Sequence, residues 1–269
     1  MRLHLNIIGK TDTGKKRKKN EDTFFVDPEL GFMLVADGMG GHASGEVASQ
    51  LATKLCAEQL KHALKAGQVD VTHHVKSLAD LDPRTLLLGD CIKFSNQAVW
   101  EAGQTEENKN MGTTLVAALW LGGKLSIAHV GDSRLYVIRN GDITQCTHDH
   151  SFVQEQIDRG FIKPEEAEKS DLRNMLTRSV GVKEDVDVDL KEIELAPGDY
   201  ILLCSDGLTK MLDDEQIAAT VMEKSDPELI VNELINRANE AGGLDNVTAV
   251  LARVDAVPSL SDKVKGMFN

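Results

Sequence analysis

Residues 32–42, FMLVADGMGGH, guide the interpretation of the whole chain. The apolar run Phe32–Ala36 predicts a buried strand, and it ends in an acid, three glycines and a histidine. Glycines let the backbone turn sharply and leave carbonyl oxygens accessible. Asp37 can therefore offer a charged oxygen to a cation and Gly38 a neutral carbonyl oxygen, while His42 can transfer a proton.

Composition limits the possible classes of protein. The chain has 269 residues, 41% of them hydrophobic, and a net charge of −13, which argues against binding nucleic acid or an anionic membrane surface. Its four cysteines are scattered without a C-x-x-C pair, as expected for free thiols in a reducing compartment. The apolar run at 115–123 is far shorter than a membrane span. We expect a cytoplasmic monomer with one main domain.

The order of predicted elements indicates an α+β fold. Residues 44–64 have helical periodicity, and Asp82-Pro83 begins a second helix. Four strands in one antiparallel meander are predicted at 113–121, 124–130, 134–139 and 142–146, with Asn140-Gly141 as a hairpin turn. Two further strands, two helices and a closing strand follow. This grouping of strands and helices predicts antiparallel sheets with helices packed outside them.

Four acids lie at or beside predicted strand ends: Asp22, Asp37, Asp206 and Asp245. Each Asp-Gly or Asp-Asn pair alone indicates only a turn. Together the four acids would repel one another unless a cation lay between them. Carboxylate and carbonyl oxygens suit Mg²⁺ or Mn²⁺. Two such ions bridged by Asp37, roughly 3.5–4 Å apart, would activate a water for in-line attack on phosphorus.

The basic run at 15–19, KKRKK, has two interpretations. It can be a solvated turn or a weak nucleic-acid signal, which an acidic protein makes unfavourable. Beside a metal site, Arg17 would instead bind a phosphate through two parallel hydrogen bonds.

The chain resembles the metal-dependent Ser/Thr protein phosphatases of type 2C, in their compact bacterial form. The matching motifs occur in the family's order over residues 17–248 and include Arg17-x-x-Asn20-x-Asp22, residues 37–42, Gly112-Thr113-Thr114, Gly131-Asp132-Ser133-Arg134, Asp149-His150-Ser151, Ser205-Asp206-Gly207-Leu208 and Gly243-x-Asp245-Asn246-x-Thr248. The resemblance implies a four-layer αββα sandwich, in which helices flank two antiparallel sheets. It also implies a catalytic domain at 1–255, with a flap at about 149–180, and a polar tail at 256–269.

The resemblance also implies a role for each site residue. Asp37, Asp206 and Asp245 would hold a first Mn²⁺ or Mg²⁺, and Asp37 with the Gly38 carbonyl a second. Glu21 and Asp22 would act nearby, directly or through water, and Asp132 with Asp206 would take a weaker third ion. His42 matches the general acid for the leaving alkoxide, and Arg17 the phosphate ligand. The implied partners are phosphoproteins, including a Ser/Thr kinase or its substrates in a signalling role.

Three other classes are weighed against this one. A P-loop at Gly9-x-x-x-x-Gly14-Lys15 has Lys16 where Ser or Thr must bind Mg²⁺, and a strand rather than a helix is predicted next. A cysteine phosphatase needs an arginine six residues after its cysteine, and none of the four cysteines has one. A non-catalytic phosphate-sensing or scaffold domain on the same fold would be expected to have lost metal acids, and here all are present.

Overall fold

The computed structural model describes residues 2–40, 44–66, 81–121, 123–167 and 169–257. Predictions for His42, for most of the irregular stretch at 67–81 and for the tail beyond 257 lie outside these residues.

Two antiparallel sheets form the centre of the fold. In chain order the strands are β1 (Arg2–Asp12), β2 (Asp22–Asp27), β3 (Phe32–Met39), β4 (Gly112–Thr113), β5 (Leu115–Leu121), β6 (Lys124–Val130), β7 (Arg134–Arg139), β8 (Asp142–Gln145), β9 (Asp189–Glu194), β10 (Tyr200–Cys204) and β11 (Val247–Val257). The first sheet has the order β1-β11-β10-β7-β8, and the second has the order β2-β3-β5-β6-β9 with β4 paired to β3. β11 extends two residues past the predicted domain end at 255.

The described residues form seven helices: α1 (Ser44–Ala66), α2 (Pro83–Ala102), α3 (Phe152–Asp158), α4 (Pro164–Ala167), α5 (Asp206–Thr209), α6 (Asp214–Glu223) and α7 (Pro227–Glu240). α1 and α2 pack on the outer face of the second sheet, and α6 and α7 pack on the outer face of the first. The predicted helix N-caps are present in the structure. Asp82 and Asp226 each cap a helix that starts with proline, and Asp213 forms a capping box with Gln216.

The strand β3 shows how the layers arise. Its side chains alternate between the two faces of the sheet. Phe32 and Leu34 pack into the core under α1 and α2, whereas Met33 and Val35 pack into the core between the sheets. A third core lies under α6 and α7, where Leu234 packs with residues of the first sheet. Three cores between four layers confirm the predicted αββα sandwich.

The predicted meander is wrong in one respect. β5 pairs with β6 in the second sheet, but β7 pairs with β8 in the first, so the chain changes sheets at Gly131–Ser133. Gly131 has φ +108°, a conformation that favours glycine. A strand pattern cannot show this change, because consecutive strands joined by a short turn look the same whichever sheet they enter. The crossing places Asp132 between the two sheets.

The predicted flap is anchored near both ends. Ser151 forms an isolated bridge with Leu176, and Val180 forms one with Thr113 at β4. Between these anchors Phe161 and Met175 are exposed. All four cysteines are buried and unpaired, as predicted. Over the described residues, no helix is both long and apolar enough to cross a membrane.

Candidate metal centre

Asp22 and Asp37 face each other across neighbouring strands. They are register partners in the antiparallel pair β2–β3, so their side chains lie on the same face of the sheet. Thr114 holds the backbone of Asp37: its Oγ1 accepts from the Asp37 N–H at 3.0 Å, and its own N–H donates to the Asp37 carbonyl at 2.8 Å. The carboxylate of Asp37 therefore projects from a fixed backbone.

Gly38 lies where three segments of backbone meet. Its N–H donates to the Glu21 carbonyl at 3.1 Å. A Cβ at Gly38 would lie 2.1 Å from the Gly45 carbonyl oxygen and 2.6 Å from that of Glu21, which no side chain tolerates. Only glycine therefore fits between the strand end and the start of α1.

Asp206 and Asp245 come from the first sheet. Asp206 follows β10 as the first residue of α5, and Asp245 lies two residues before β11, the neighbour of β10. A Cβ at Gly207 would lie 1.9 Å from the Asn246 carbonyl oxygen, so the missing side chain lets the two segments touch. The strand order thus brings together two acids that are 39 positions apart in the sequence.

Asp22 links the two sheets through hydroxyl groups. Its Oδ2 accepts from Ser205 Oγ at 2.7 Å and from Thr248 Oγ1 at 2.6 Å. Ser205 is the N-cap of α5, but its hydroxyl does not cap the helix because it donates to Asp22. These bonds hold the end of β2 against the ends of β10 and β11.

The carboxylates strongly perturb one another. Burial, together with the charges of Asp206 and Asp245, raises the pKa of Asp22 to about 7, against the two hydroxyl bonds, which lower it. Burial and then Asp22, Asp206, Asp132 and Asp245 raise the pKa of Asp37 well above its usual range. Burial and then Asp206 and Asp149 raise that of Asp132 to about 7. The structure therefore gathers the predicted acids into one repelling cluster.

The cluster fits a hard divalent cation. Among the described residues, two of its oxygens, Asp22 Oδ1 and Asp206 Oδ1, are buried without a hydrogen-bond partner. A buried unpartnered oxygen is costly. The donor atoms are all oxygens, the ligands that Mg²⁺ and Mn²⁺ prefer.

Two cations contact these acids. The Arg17 side chain, 53% exposed, pairs with Asp245 through Nε at 2.8 Å and Nη2 at 2.9 Å. Lys210 forms an ion pair with Asp206, and its Nζ lies 3.9 Å from Asp245 Oδ2. The sequence predicts Arg17 at the site but indicates no role there for Lys210. The only available signal was its position four residues after Asp206, on the same face of one helical turn.

Asn246 joins the basic loop to the cluster. Its Oδ1 accepts from the Glu21 N–H at 2.8 Å, and its Nδ2 donates to the carbonyls of Thr13 at 3.0 Å and Lys19 at 2.8 Å. Residues 13–21 are therefore held at both ends, with Arg17 between them. Asn246 belonged to a motif recognised in the sequence, but spacing alone could not show that it serves a loop more than 200 residues away.

The side chain of Glu21 lies beside this loop. Burial raises its pKa, Arg17 lowers it, and Asp245 and Glu46 raise it. The structure thus brings together Arg17, Glu21, Asp22, Asp37, Gly38, Asp132, Asp206 and Asp245, while His42 lies outside the described residues.

A second cluster lies near the base of the flap. His129, His150 and Asp189 bring their nitrogen and oxygen atoms within 4.8 Å of one another. The imidazoles are stacked, with ring planes 12° apart, so their in-plane lone pairs do not converge on one point. His150 Nδ1 accepts from the Gly131 N–H at 3.0 Å, which leaves its proton on Nε2, 3.3 Å from Asp189. We interpret this cluster as support for the Gly131 turn.

Comparisons with known proteins agree with this geometry. The Protein phosphatase 2C family model matches residues 14–252. A putative protein phosphatase 2C-type of Streptococcus pyogenes is 38% identical over 253 residues, covering 92% of this chain and 96% of that protein. The serine/threonine phosphatase Stp1 of Staphylococcus aureus superposes with a TM-score of 0.80 at 36% identity, covering 94% of this chain and 96% of the other.

One solved structure bears on the metal. The catalytic domain of the serine/threonine protein phosphatase PstP, in complex with two manganese ions, has a TM-score of 0.79 at 35% identity, and 95% of this chain and 100% of that one are covered. The chain described here belongs to the protein phosphatase 2C family, a family of Ser/Thr protein phosphatases.

Proposed function

We propose that this chain hydrolyses phosphoserine and phosphothreonine in proteins with the help of Mn²⁺ or Mg²⁺. The observation that carries the proposal is the buried cluster at the contact of the two sheets, where Asp22 and Asp206 each have a buried oxygen without a hydrogen-bond partner. The solved relative PstP with two manganese ions supports the choice of a divalent metal.

The proposed ligands come from both sheets. Asp37, Asp206 and Asp245 would hold one ion, and Asp37 with the Gly38 carbonyl would hold the other. Glu21 and Asp22 would act beside them. The chemistry supplied by such ions would be a water of lowered pKa as the nucleophile and neutralisation of charge on the phosphoryl oxygens. Asp132 with Asp206 is the position where the family resemblance implies a weaker third ion, and Lys210 already contacts Asp206.

Arg17 is the proposed phosphate ligand. Its guanidinium is at the exposed mouth of the cluster and already makes two parallel bonds to a carboxylate, Asp245. The same planar fork matches two oxygens of a phosphate group. His42 is proposed to give a proton to the serine or threonine alkoxide, a poor leaving group that needs one.

The alternative is a non-catalytic phosphate-sensing domain on the same fold. Such a domain could dispense with acids whose repulsion destabilises it. The presence of every predicted acid in one cluster favours catalysis.

We further propose the extent of the catalytic domain, its oligomeric state, its location in the cell and its partners. Catalysis is assigned to one domain, residues 1–255, acting as a monomer in the cytoplasm, with the flap at about 149–180 beside the substrate and residues 256–269 as a tail. The partners are phosphoproteins, as the name of the relative Stp1, a serine/threonine phosphatase, supports. By analogy with the family, they include a Ser/Thr kinase or its substrates.

The test is hydrolysis of a phosphothreonine peptide by the purified chain. We expect turnover with Mn²⁺ or Mg²⁺ and none in EDTA, with activity restored when metal is returned. Asp206→Asn serves as the matched inactive control. Equal activity with and without EDTA would contradict the proposal, and so would absence of turnover at every metal concentration.

A further inference from the structure

The basic run at 15–19 lies at the mouth of the acid cluster. Arg17, at its centre, pairs with Asp245 through two parallel bonds. The other four members of the run are exposed lysines: Lys15, Lys16, Lys18 and Lys19. In a chain of net charge −13, these five consecutive basic residues form a positively charged segment beside the proposed phosphate position.

The backbone of the basic run is fixed at both ends. The N–H groups of Lys15 and Lys16 both donate to the Gly243 carbonyl, at 2.8 and 3.2 Å. The Lys19 carbonyl accepts from Asn246 Nδ2 at 2.8 Å. These bonds hold the run against the segment that leads into β11. Its lysines therefore lose little backbone freedom when they bind a partner.

The ammonium groups of the four lysines have no counter-ion in the part of the chain that the structure describes. None of them forms an ion pair with a carboxylate of those residues. Lys210 and Lys224, by contrast, pair with Asp206 and Glu233. The lysines of the basic run are thus available to bind an anion supplied from outside the described residues.

We propose that these four lysines bind acidic side chains of the substrate, so that this chain prefers phosphoproteins with Asp or Glu one or two positions from the phosphorylated residue. Two residues of chain span at most about 7 Å. The lysines are therefore as near to Arg17 along the backbone as those acids are to the phosphorylated residue. An anionic substrate must approach a cluster of carboxylates, and positive charge at the mouth offsets this repulsion. The inference rests on the proposed function, because it takes Arg17 as the phosphate ligand.

The experiment compares two phosphothreonine peptides. One has two Glu residues on each side of the phosphothreonine, and the other has Gln at the same positions, which keeps the size without the charge. An exposed ion pair multiplies affinity by about 1.4 to 5. Two such pairs should make kcat/KM for the Glu peptide about twofold to 25-fold higher than for the Gln peptide, mainly through KM. The preference should shrink at higher salt, because exposed charges are screened.

A pair of double variants assigns the preference to the basic run. Lys16→Gln with Lys18→Gln removes the two charges next to Arg17 and should move the ratio of the two kcat/KM values towards one, mainly by raising KM for the Glu peptide. Lys54→Gln with Lys93→Gln is the matched control. Both of these lysines are exposed, lie on α1 and α2 and form no ion pair with the described residues. The control makes the same change in net charge and should keep the wild-type ratio.

Reversing the charge gives a reciprocal test. Lys16→Glu with Lys18→Glu should hydrolyse a peptide with two Lys residues on each side of the phosphothreonine with a higher kcat/KM than the wild type does. A kcat/KM no higher than that of the wild type would contradict contact between these positions and the flanks of the substrate.

The outcomes separate the two claims. Equal kcat/KM values of the wild type for the Glu and Gln peptides overturn the role of the lysines, whether or not the variants fold. A Lys16→Gln, Lys18→Gln variant that keeps the wild-type ratio overturns it too, and so does a control that loses the ratio equally, since net charge would then explain the preference. If the wild type hydrolysed neither peptide with Mn²⁺ present, the proposed function would be refuted. Fluorescence anisotropy of the two labelled peptides would then decide the inference, and equal Kd values would overturn it.

Discussion

Replacing Asn246 with alanine should both destabilise the protein and weaken substrate binding. The Asn246 side chain is buried and makes three hydrogen bonds to the backbone of residues 13–21. These bonds fix both ends of the loop that carries Arg17, the proposed phosphate ligand. The N–H groups of Lys15 and Lys16 still donate to the Gly243 carbonyl, so part of the loop stays attached in the variant.

The size of the effect follows from the bond count. A hydrogen bond in a folded protein contributes about 0.5–1.5 kcal/mol to stability. Removing one partner of a buried pair adds the cost of leaving the other partner buried without a hydrogen bond. Three bonds therefore correspond to a loss of about 2–4 kcal/mol in the free energy of unfolding. If the loss of these anchors weakens phosphate binding by about 0.7–1.4 kcal/mol, KM rises about threefold to tenfold.

Asn96 offers a matched control. It is equally buried, and its side chain also makes three bonds to backbone: it accepts from the Gly181 N–H and donates to the carbonyls of Lys183 and Glu184. Asn96→Ala should cost about as much stability while KM stays unchanged. Urea unfolding in EDTA measures the stability of both variants, and steady-state kinetics on one phosphopeptide at saturating Mn²⁺ measures KM.

Two results would refute the reasoning. If Asn246→Ala lost stability as Asn96→Ala does but kept the wild-type KM, the loop would not need its anchor to position Arg17. If Asn246→Ala unfolded at the wild-type urea concentration, the three bonds would not contribute to stability.

Three further predictions concern the cluster itself. Asp206→Asn should lower kcat by more than the about 100-fold that loss of an outer-shell metal partner costs, with circular dichroism unchanged; wild-type turnover would show that the site is misplaced. Arg17→Lys should raise KM although the charge is kept, because lysine lacks the planar fork, whereas Lys18→Ala should change KM little; equal effects would reduce the basic run to a charged patch. In the metal-free protein the pKa of Asp22 is about 7, above the ordinary 3.8 of an unfolded chain, so its contribution to stability is fully present below about pH 4 and is lost as pH rises through 7. Asp22→Asn should remove at most about 3 kcal/mol of the difference in stability between pH 5 and pH 8, measured by urea unfolding in EDTA. If wild type and variant lost the same stability between these two pH values, the prediction would be contradicted.

Much of the architecture could be predicted because it depends on short-range patterns. The apolar run Phe32–Ala36 predicts a strand buried on both faces, and the structure places its alternate residues in two different cores. Turn and cap signals such as Asp82-Pro83 act within a few residues, so they are readable without a partner. The acids could be found for a similar reason, because each follows or precedes a recognisable strand.

The sequence by itself determined most of the strands, the long helices and which oxygens are available for a metal, since burial pattern and turn chemistry are local. The short helices α4 and α5 were not predicted. Only the tertiary structure decided that the chain changes sheets at Gly131, that Arg17 pairs with Asp245, and that Lys210 contacts Asp206. The physical reason is that these partners are chosen by how the two sheets pack. A side chain binds whichever opposite charge or backbone group the packed sheets place within reach, and no spacing along the chain records that distance.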